Sequence, residues 1–178
     1  MSTASATAVA TVANPDQDAV TEGFRQALRR FASGVTVVAS VADDGTPRGI
    51  VMTAVMSLSF DPPSMLIAIN RTASLLPAVE HSGRFSINVL GSESRDWCHA
   101  FATSDVATRF AADDWAFDDA GVPVLRGALS SIVCDVDQAE PFGSHMVIRG
   151  LVRATHFRQD ADGLIYLDGR YARSRTFD

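Results

Sequence analysis

The run GIVMTAVMSLSFDPP, residues 49–63, combines a long apolar series with three hydroxyl side chains and is closed by Pro62 and Pro63. Apolar runs bounded by turn residues in this way are typical of buried strands. VTVVASV, residues 35–41, is rich in β-branched residues, and the turn DDGTP, residues 43–47, separates it from the first run. We therefore expect the two runs to form a hairpin of two long strands.

Outward from this hairpin, five further segments have the composition of strands: SMLIAIN (64–70), RFSINVL (84–90), ALSSIVCDVDQAE (128–140), HMVIRGLVRATHF (145–157) and LIYL (164–167). Most of the links between strands are too short for crossover helices. About seven strands with three helices indicate a mainly β protein with flanking helices, arranged as a mostly antiparallel barrel.

Three segments have helical character. TEGFRQALRRFASG, residues 21–34, places Phe24, Ala27, Leu28 and Phe31 at helical spacing, and Gly34 is a candidate C-cap. We expect this helix to pack on the barrel. Residues 71–83 and 92–102 predict two more helices with Ser74 and Ser92 as caps. Residues 103–123 are polar and acidic, which predicts a loop with a turn or two of helix.

Length and charge limit the possible functions. The chain has 178 residues, 47% of them hydrophobic, which predicts one domain over residues 20–178 after a flexible tail over residues 1–19. A net charge of −6 with scattered basic residues argues against nucleic acid as a partner. No apolar stretch reaches the length of a membrane span, and the first twenty residues have no basic start before an apolar run.

The two cysteines, Cys98 and Cys134, are far apart in sequence and form no Cys-x-x-Cys pair. They predict neither a disulfide framework nor a zinc motif, so we expect reduced thiols in a cytoplasmic protein. The four histidines lack metal-ligand spacing, and no nucleophile elbow or glycine-rich dinucleotide motif is present. The sequence therefore predicts no metal site, hydrolase triad or Rossmann cofactor site.

The hydroxyl groups of Thr53, Ser57 and Ser59 recur along one apolar strand. They can bond to neighbouring backbone or face solvent, or they can line a small polar ligand that lies along the strand. The segment from Asn70 to Ser74 lies where a strand gives way to a helix. Its hydroxyls, its guanidinium and the helix N–H groups can hold a phosphate, or Thr72 or Ser74 can simply cap the helix.

His145 is framed by Gly143 and Ser144 at the start of a strand. Histidine is a common catalytic or ligand-binding side chain, but a histidine at this position can equally be an ordinary residue on the solvent side of the strand. The residues alone leave both interpretations open.

Seven pieces of the sequence, taken in order, resemble one family: FRQALRRFASGVTVV, GIVMTAVMSLSFDPP, NRTASLLPAVEHSGRFSINVL, FATSDVATRF, GVPVLRGALSSIVCDV, FGSHMVIRGLV and LIYLDGRYA. Together they are similar to the short-chain flavin reductases, the reductase partners of two-component flavin-dependent monooxygenases. The resemblance covers about residues 22–172. It implies the FMN-binding split β-barrel fold.

The resemblance also implies roles for single residues at the flavin. The strand with Thr53, Ala54, Val55 and Ser57 matches the one that runs beside the isoalloxazine ring. Three residues match the phosphate-holding turn: Asn70, Arg71 and Ser74. Three more match segments that approach the flavin or its phosphate: Phe101, Ala102 and Arg109.

Gly143, Ser144 and His145 match a Gly-Asp-His or Gly-Thr-His motif that relatives associate with the nicotinamide coenzyme, and Tyr171 matches a tyrosine near the same cleft. His145 is thereby the candidate catalytic residue. Ser144 departs from the commoner acidic form and removes a carboxylate beside the histidine. Val51 and Met52 replace a Thr-Ala pair common in relatives, which implies a more apolar ring pocket.

By resemblance, the activity is hydride transfer from NADH or NADPH to FMN or FAD, with reduced flavin passing to a separate monooxygenase. The family is usually homodimeric, and exposed sheet faces are a physical reason for a dimer. Two other functions remain open at this point. One is a barrel flavoprotein with tightly bound flavin and its own substrate, and the other is a flavin- or haem-binding module without turnover.

Overall fold

A computed structural model describes residues 16–106, 108–110, 113–159, 162–175 and 177. Its helices are α1 (Gln17–Leu28), α2 (Leu75–Ser82) and α3 (Arg95–Thr103), with a 3-10 turn at Ser92–Ser94 before α3. Its strands are β1 (Ser33–Gly34), β2 (Thr36–Val41), β3 (Pro47–Met52), β4 (Val55–Phe60), β5 (Pro63–Asn70), β6 (Arg84–Val89), β7 (Trp115–Phe117), β8 (Pro123–Leu125), β9 (Ser130–Phe142), β10 (His145–Phe157), β11 (Leu164–Leu167) and β12 (Arg170–Arg173).

Seven strands form the main sheet in the order β3-β2-β6-β9-β10-β5-β4, and every pairing in it is antiparallel. The two edge strands, β3 and β4, are separated in the chain only by Thr53 and Ala54. Three Cα steps span at most about 11 Å, so the two edges must meet at this point. The sheet is therefore rolled into a barrel that is open along the seam between β3 and β4.

This topology corrects one prediction from the sequence. Residues 49–60 do not form one long strand of a simple hairpin, because the chain leaves β3 at Met52 and enters β4 at Val55 on the opposite edge of the sheet. The hairpin between β2 and β3 is present, with Thr36 opposite Met52. The mostly antiparallel β architecture with flanking helices is confirmed.

A first apolar core fills the barrel. Its members come from six barrel strands and from α2, which contributes Leu75, Leu76 and Val79. Gly150 on β10 makes this packing possible, because a Cβ atom there would lie 2.5 Å from Cζ of Phe85. Only glycine leaves room for the Phe85 ring at this point of the sheet.

A second apolar core lies on the outer face of β2, against Val35, Val37 and Ala39. It is covered by α3, by the three-stranded sheet β1-β11-β12 and by the hairpin β7-β8. The fully buried Asn88 ties this hairpin to the barrel, since its Oδ1 accepts from the backbone N–H of Leu125 at 3.0 Å. The hairpin and β12 were missed by the sequence analysis, which placed a loop over residues 103–123.

The first helix differs from its prediction. It ends at Leu28, Phe31 lies beyond it, and Gly34 belongs to β1 rather than to a helix cap. No side chain of Gln17–Leu28 is buried, so the helix does not pack an apolar face on the barrel. Residues 1–15 of the predicted tail lie outside the described residues, and Gln17–Ala19 are already helical.

Candidate functional site

Three of the predicted segments meet at one end of the strands β4, β5 and β10. The carbonyl of Ala54 accepts a hydrogen bond from the N–H of Ala68 on β5 at 3.0 Å. Two residues further along β5, Asn70 lies directly opposite His145 on β10. Neighbouring strands are about 4.8 Å apart, so the seam, the end of β5 and the start of β10 form one continuous surface.

The seam residues Thr53 and Ala54 present backbone donors to solvent. Both residues are exposed, and within the part of the chain that the structure describes neither N–H donates to another residue. Their carbonyls are engaged, since Thr53 O accepts from Val55 N at 2.9 Å and Ala54 O from Ala68 N. The break between the two edge strands thus leaves two adjacent N–H groups available to a ligand.

The hydroxyls on this strand divide into two kinds. Ser59 Oγ donates to the carbonyl of Asp61 at 3.0 Å and accepts from its N–H at 2.9 Å, so it belongs to a local turn. Ser57 is exposed opposite Met65 at a bulge in the ladder, while Val55 is half-buried against the barrel core. Of the predicted strand residues, Thr53, Ala54 and Ser57 are open to a ligand.

The turn from Asn70 to Ser74 is organised by the Asn70 side chain. Its Oδ1 accepts from the backbone N–H of Thr72 at 3.0 Å and from the Thr72 hydroxyl at 2.9 Å. Ser74 occupies the N-cap position of α2 without a side-chain hydrogen bond, so neither candidate hydroxyl caps the helix. The Ser74 hydroxyl thus lies at the start of α2, three residues after the exposed Arg71. In the first turn the N–H of Leu76 donates to the carbonyl of Ala73 at 3.1 Å and Pro77 has no N–H, so the hydroxyl and the guanidinium are the main donors of this turn. This arrangement suits an anion.

The turn between β9 and β10 consists of Gly143 and Ser144 and brings His145 to the same surface. Gly143 has a φ of +55°, a conformation that glycine adopts without strain. Ser144 Oγ lies 3.0 Å from Nδ1 of the half-buried His145. The Ser144 carbonyl accepts from the N–H of Arg71 at 2.9 Å. This bond fixes the histidine turn to the Asn70–Ser74 turn.

Two other predicted residues have internal roles. The Phe101 side chain is 4% exposed and stacks on Trp97 at 5.1 Å between ring centroids, inside the second core. Arg109 donates from Nη1 to the carbonyl of Gly49 at 3.1 Å and from Nη2 to that of Ala102 at 3.4 Å. Ala102 itself is exposed. The Phe101 ring is therefore not available to a flavin, and the Arg109 guanidinium connects β3 to α3.

Tyr171 and His145 lie in different sheets. Tyr171 lies on β12 in the three-stranded sheet, with its hydroxyl 3.4 Å from Sγ of the buried Cys98. Burial raises the pKa of Tyr171 to about 12, and the hydrogen bond to Cys98 adds to this. Its neighbour Tyr166, 42% exposed, lines a cleft that also contains Thr53. Tyr166 was missed because its position in LIYL carries no signal that separates it from an ordinary strand residue.

The described residues contain no group of three or more histidine, cysteine or acidic side chains placed to hold a metal ion. Among these residues there is likewise no helix long and apolar enough to cross a membrane. The site consists instead of backbone donors, an anion-binding turn and one histidine. Such features define an antiparallel barrel protein whose solvent-open site suits a phosphate-bearing ligand.

Comparison with known proteins gives this class a family. The model of the flavin reductase like domain matches residues 28–175, and the chain belongs to that family. The reductase subunit HsaB of a flavin-dependent monooxygenase from Rhodococcus jostii is 33% identical over 83% of this chain and 75% of its own length. An NADH:FMN oxidoreductase from Rhodococcus erythropolis is 37% identical over 84% of this chain and 80% of its own.

A solved structure agrees with these relatives. The NADH:FAD oxidoreductase SgcE6 of Streptomyces globisporus, in complex with NAD and FAD fragments, is 25% identical to this chain. It aligns with a TM-score of 0.79 over 90% of this chain and 94% of its own length. The likeness covers the barrel and the elements around it.

Proposed function

We propose that this protein is a flavin reductase that transfers hydride from NADH to FMN or FAD and supplies the reduced flavin to a separate monooxygenase. The observation that carries the proposal is the meeting of the free N–H groups of Thr53 and Ala54, the Asn70–Ser74 turn and His145 on one surface. The activities named for its relatives, NADH:FMN oxidoreductase and monooxygenase reductase subunit, agree with it.

The flavin fits the donor set of the seam. Bound flavin supplies the hydride acceptor, so the protein needs no nucleophile of its own. The N–H groups of Thr53 and Ala54 would donate to the acceptors on the pyrimidine edge of a bound flavin, where negative charge accumulates on reduction. The Ser57 hydroxyl extends the same edge. Arg71 and Ser74 would hold the flavin phosphate at the start of α2.

The coenzyme would approach from the His145 side of this surface. Ser144, bonded to Nδ1, holds the imidazole ring in one orientation and leaves Nε2 to contact the nicotinamide end. The contribution of these residues is to position one ring over another, which is the main source of rate in a transfer between two bound cofactors. Tyr171 has no such role in this proposal.

Turnover tests the proposal. Purified protein is mixed with NADH or NADPH and increasing FMN or FAD, and coenzyme loss is followed by its absorbance. We expect saturable oxidation that depends on added flavin and is faster with NADH. Flavin binding without coenzyme oxidation would contradict the proposal and indicate a binding module, and the same rate without added flavin would indicate a tightly bound cofactor.

We also propose a homodimer, because the protein exposes a large apolar surface. Seven side chains, on α1, on β4 and at the end of β9, are between 44% and 93% exposed: Val20, Phe24, Leu28, Met56, Leu58, Phe60 and Phe142. Apolar area of this kind on a small protein usually lies in an interface. The expected result of sedimentation is twice the monomer mass. Phe24→Asp should shift it toward the monomer, while Phe157→Asp, on the far end of β10, should not.

The proposed location is the cytoplasm, and the proposed catalytic unit is a single domain over residues 20–178. The cysteines Cys98 and Cys134 are both buried and free, which agrees with a reducing compartment.

A further inference from the structure

Helix α1 is oriented in an unusual way for a surface helix. Its apolar residues Val20, Phe24 and Leu28 recur every four positions and are 53%, 61% and 49% exposed. Arg25 and Arg29, one position further round, line a cleft against the body of the protein. A surface helix normally turns its apolar face inward and its charges outward. Here the apolar residues are exposed, and Arg25 and Leu28 both line the cleft beside the helix.

The cleft beside α1 has a volume of about 290 Å³ and reaches the seam of the barrel. Its walls include two arginines, two aromatic rings, Leu28 and the seam residue itself: Arg25, Arg29, Phe31, Tyr166, Leu28 and Thr53. The cleft thus begins where the proposed flavin edge ends. A ligand in it would touch whatever is bound along Thr53.

The two arginines have different surroundings. Arg29 is held by Asp168, with Nε 3.0 Å from Oδ1 and Nη2 donating to the Asp168 carbonyl at 3.1 Å. Its charge is therefore largely balanced. Among the described residues, the Arg25 guanidinium pairs with Glu22 alone, at 3.5 Å, and the two side chains are 71% and 57% exposed. A pair of this kind is worth little, so Arg25 is the cation available to a ligand.

We infer that this cleft binds the diphosphate of the nicotinamide coenzyme, with Arg25 as its charged partner and with Tyr166 and Phe31 packed on the adjoining sugar. The inference rests on the proposed function. The flavin phosphate is assigned to the turn at Asn70–Ser74 and the nicotinamide end of the coenzyme to His145, so the coenzyme diphosphate is the anion that is left for a cleft on the Thr53 side of the same surface. A protein of net charge −6 repels an anionic coenzyme, which makes a local cation valuable.

The size of the cleft agrees with part of a dinucleotide. Sites for whole ligands of drug size occupy about 300–1,000 Å³, and this cleft lies at the lower limit of that range. The nicotinamide ring would then lie over the flavin outside the cleft. Only the diphosphate end would enter between α1 and the turn that joins β11 to β12.

The test compares two hydride donors in the wild-type protein and in Arg25→Gln, with added flavin. NADH carries the diphosphate, and 1-benzyl-1,4-dihydronicotinamide has no phosphate or charge. We expect Arg25→Gln to raise the KM for NADH roughly tenfold, because one charge-assisted hydrogen bond is lost. The kcat and the KM for flavin should not change. The rate with the uncharged donor should not change. Arg25→Lys should restore part of the NADH affinity.

Arg126→Gln is the matched control, because Arg126 is an exposed arginine that lines a different cavity. An equal KM for NADH in the wild type and in Arg25→Gln would overturn the inference. It would also be overturned if Arg25→Gln raised the KM equally for NADH and for the uncharged donor. If the wild type oxidises neither donor, the proposed function fails, and the inference fails with it. If the wild type oxidises both donors and Arg25→Gln has the same KM for NADH, only the inference fails and the proposed function stands.

Discussion

Replacing Arg71 by glutamine tests the flavin phosphate site without disturbing the fold. The Arg71 side chain is exposed, and in the described residues its guanidinium makes no hydrogen bond or ion pair. Only its backbone N–H is engaged, with the carbonyl of Ser144 at 2.9 Å, and Arg71→Gln keeps that bond. The thermal stability of the variant should therefore equal that of the wild type.

The expected loss of affinity follows from the same geometry. A hydrogen bond to a charged group contributes about 1.5–3 kcal/mol, and the lower end applies at an exposed position such as this one. Arg71→Gln should therefore weaken FMN binding about tenfold. Ser74→Ala removes one neutral donor that caps nothing in the protein, which corresponds to about 0.5–1.5 kcal/mol or roughly a two- to tenfold weaker Kd.

The assay is titration of FMN and of riboflavin, which lacks the phosphate, followed by quenching of flavin fluorescence. Arg71→Gln and Ser74→Ala should lower the affinity for FMN and leave riboflavin unchanged. Arg126→Gln is the control, because Arg126 is an exposed arginine outside the Asn70–Ser74 turn. The reasoning is refuted if Arg71→Gln weakens both ligands equally, or if FMN binding does not change.

Three further predictions concern the coenzyme, the fold and alkaline pH. His145→Ala should raise the KM for NADH more than it weakens flavin binding, and steady-state kinetics with the reverse pattern would contradict its assignment. Asn88→Ala leaves buried donors without an acceptor, so the melting temperature should fall by about 10 °C, against about 3 °C for Ser131→Ala, which removes one bond. Burial raises the pKa of Tyr171 and of Cys134, each to about 12. The folded state therefore holds these protons more tightly than the unfolded state does. Denaturant melts should show the free energy of unfolding falling as the pH rises from about 9 to 12. In Tyr171→Phe this fall should be less steep above pH 10.

The barrel could be predicted from the sequence because its strands are long and strongly patterned. The segments 64–70, 84–90, 128–140 and 145–157 each correspond to one strand within a few residues. Because the links between these antiparallel strands are short, few sheet topologies are possible. The split of residues 49–60 into two strands could not be predicted, because the residues at the break are Thr53 and Ala54 and not proline or glycine. Only the closure of the barrel, a long-range property, places them between two edges.

The misassigned elements have local causes. The hairpin β7-β8 has strands of only three residues within an acidic segment, so it depends on contacts to Asn88 rather than on its own pattern. Helix α1 was expected to pack inward. This prediction was wrong because amphipathic spacing does not reveal whether the apolar face of a helix meets its own protein or is exposed. What the apolar face of α1 contacts depends on tertiary or quaternary structure and not on the sequence of the helix.

One part of the candidate site could be predicted from its backbone. The turn at Asn70–Ser74 follows from the strand-to-helix junction in the sequence, whereas the exposed seam at Thr53 and Ala54 follows from barrel closure. The internal contacts of Phe101 and Arg109 could not be predicted, because side-chain burial and hydrogen bonds to backbone carbonyls cannot be read from sequence spacing. Tyr166 rather than Tyr171 lines the cleft that contains Thr53. The two tyrosines are directly opposite each other on β11 and β12 and share a face, with ring centroids 5.7 Å apart, so the sequence gives no means of choosing between them.

The measurement that tests the central claim most directly is the fate of the flavin after one anaerobic turnover. The protein is reduced with NADH in the presence of FMN or FAD and passed at once through a desalting column under nitrogen. If the protein supplies reduced flavin to a partner, the reduced flavin should separate from it and reduce oxygen when air is admitted. Reduced flavin that stays with the protein through the column would contradict the account and indicate a flavoenzyme with a substrate of its own.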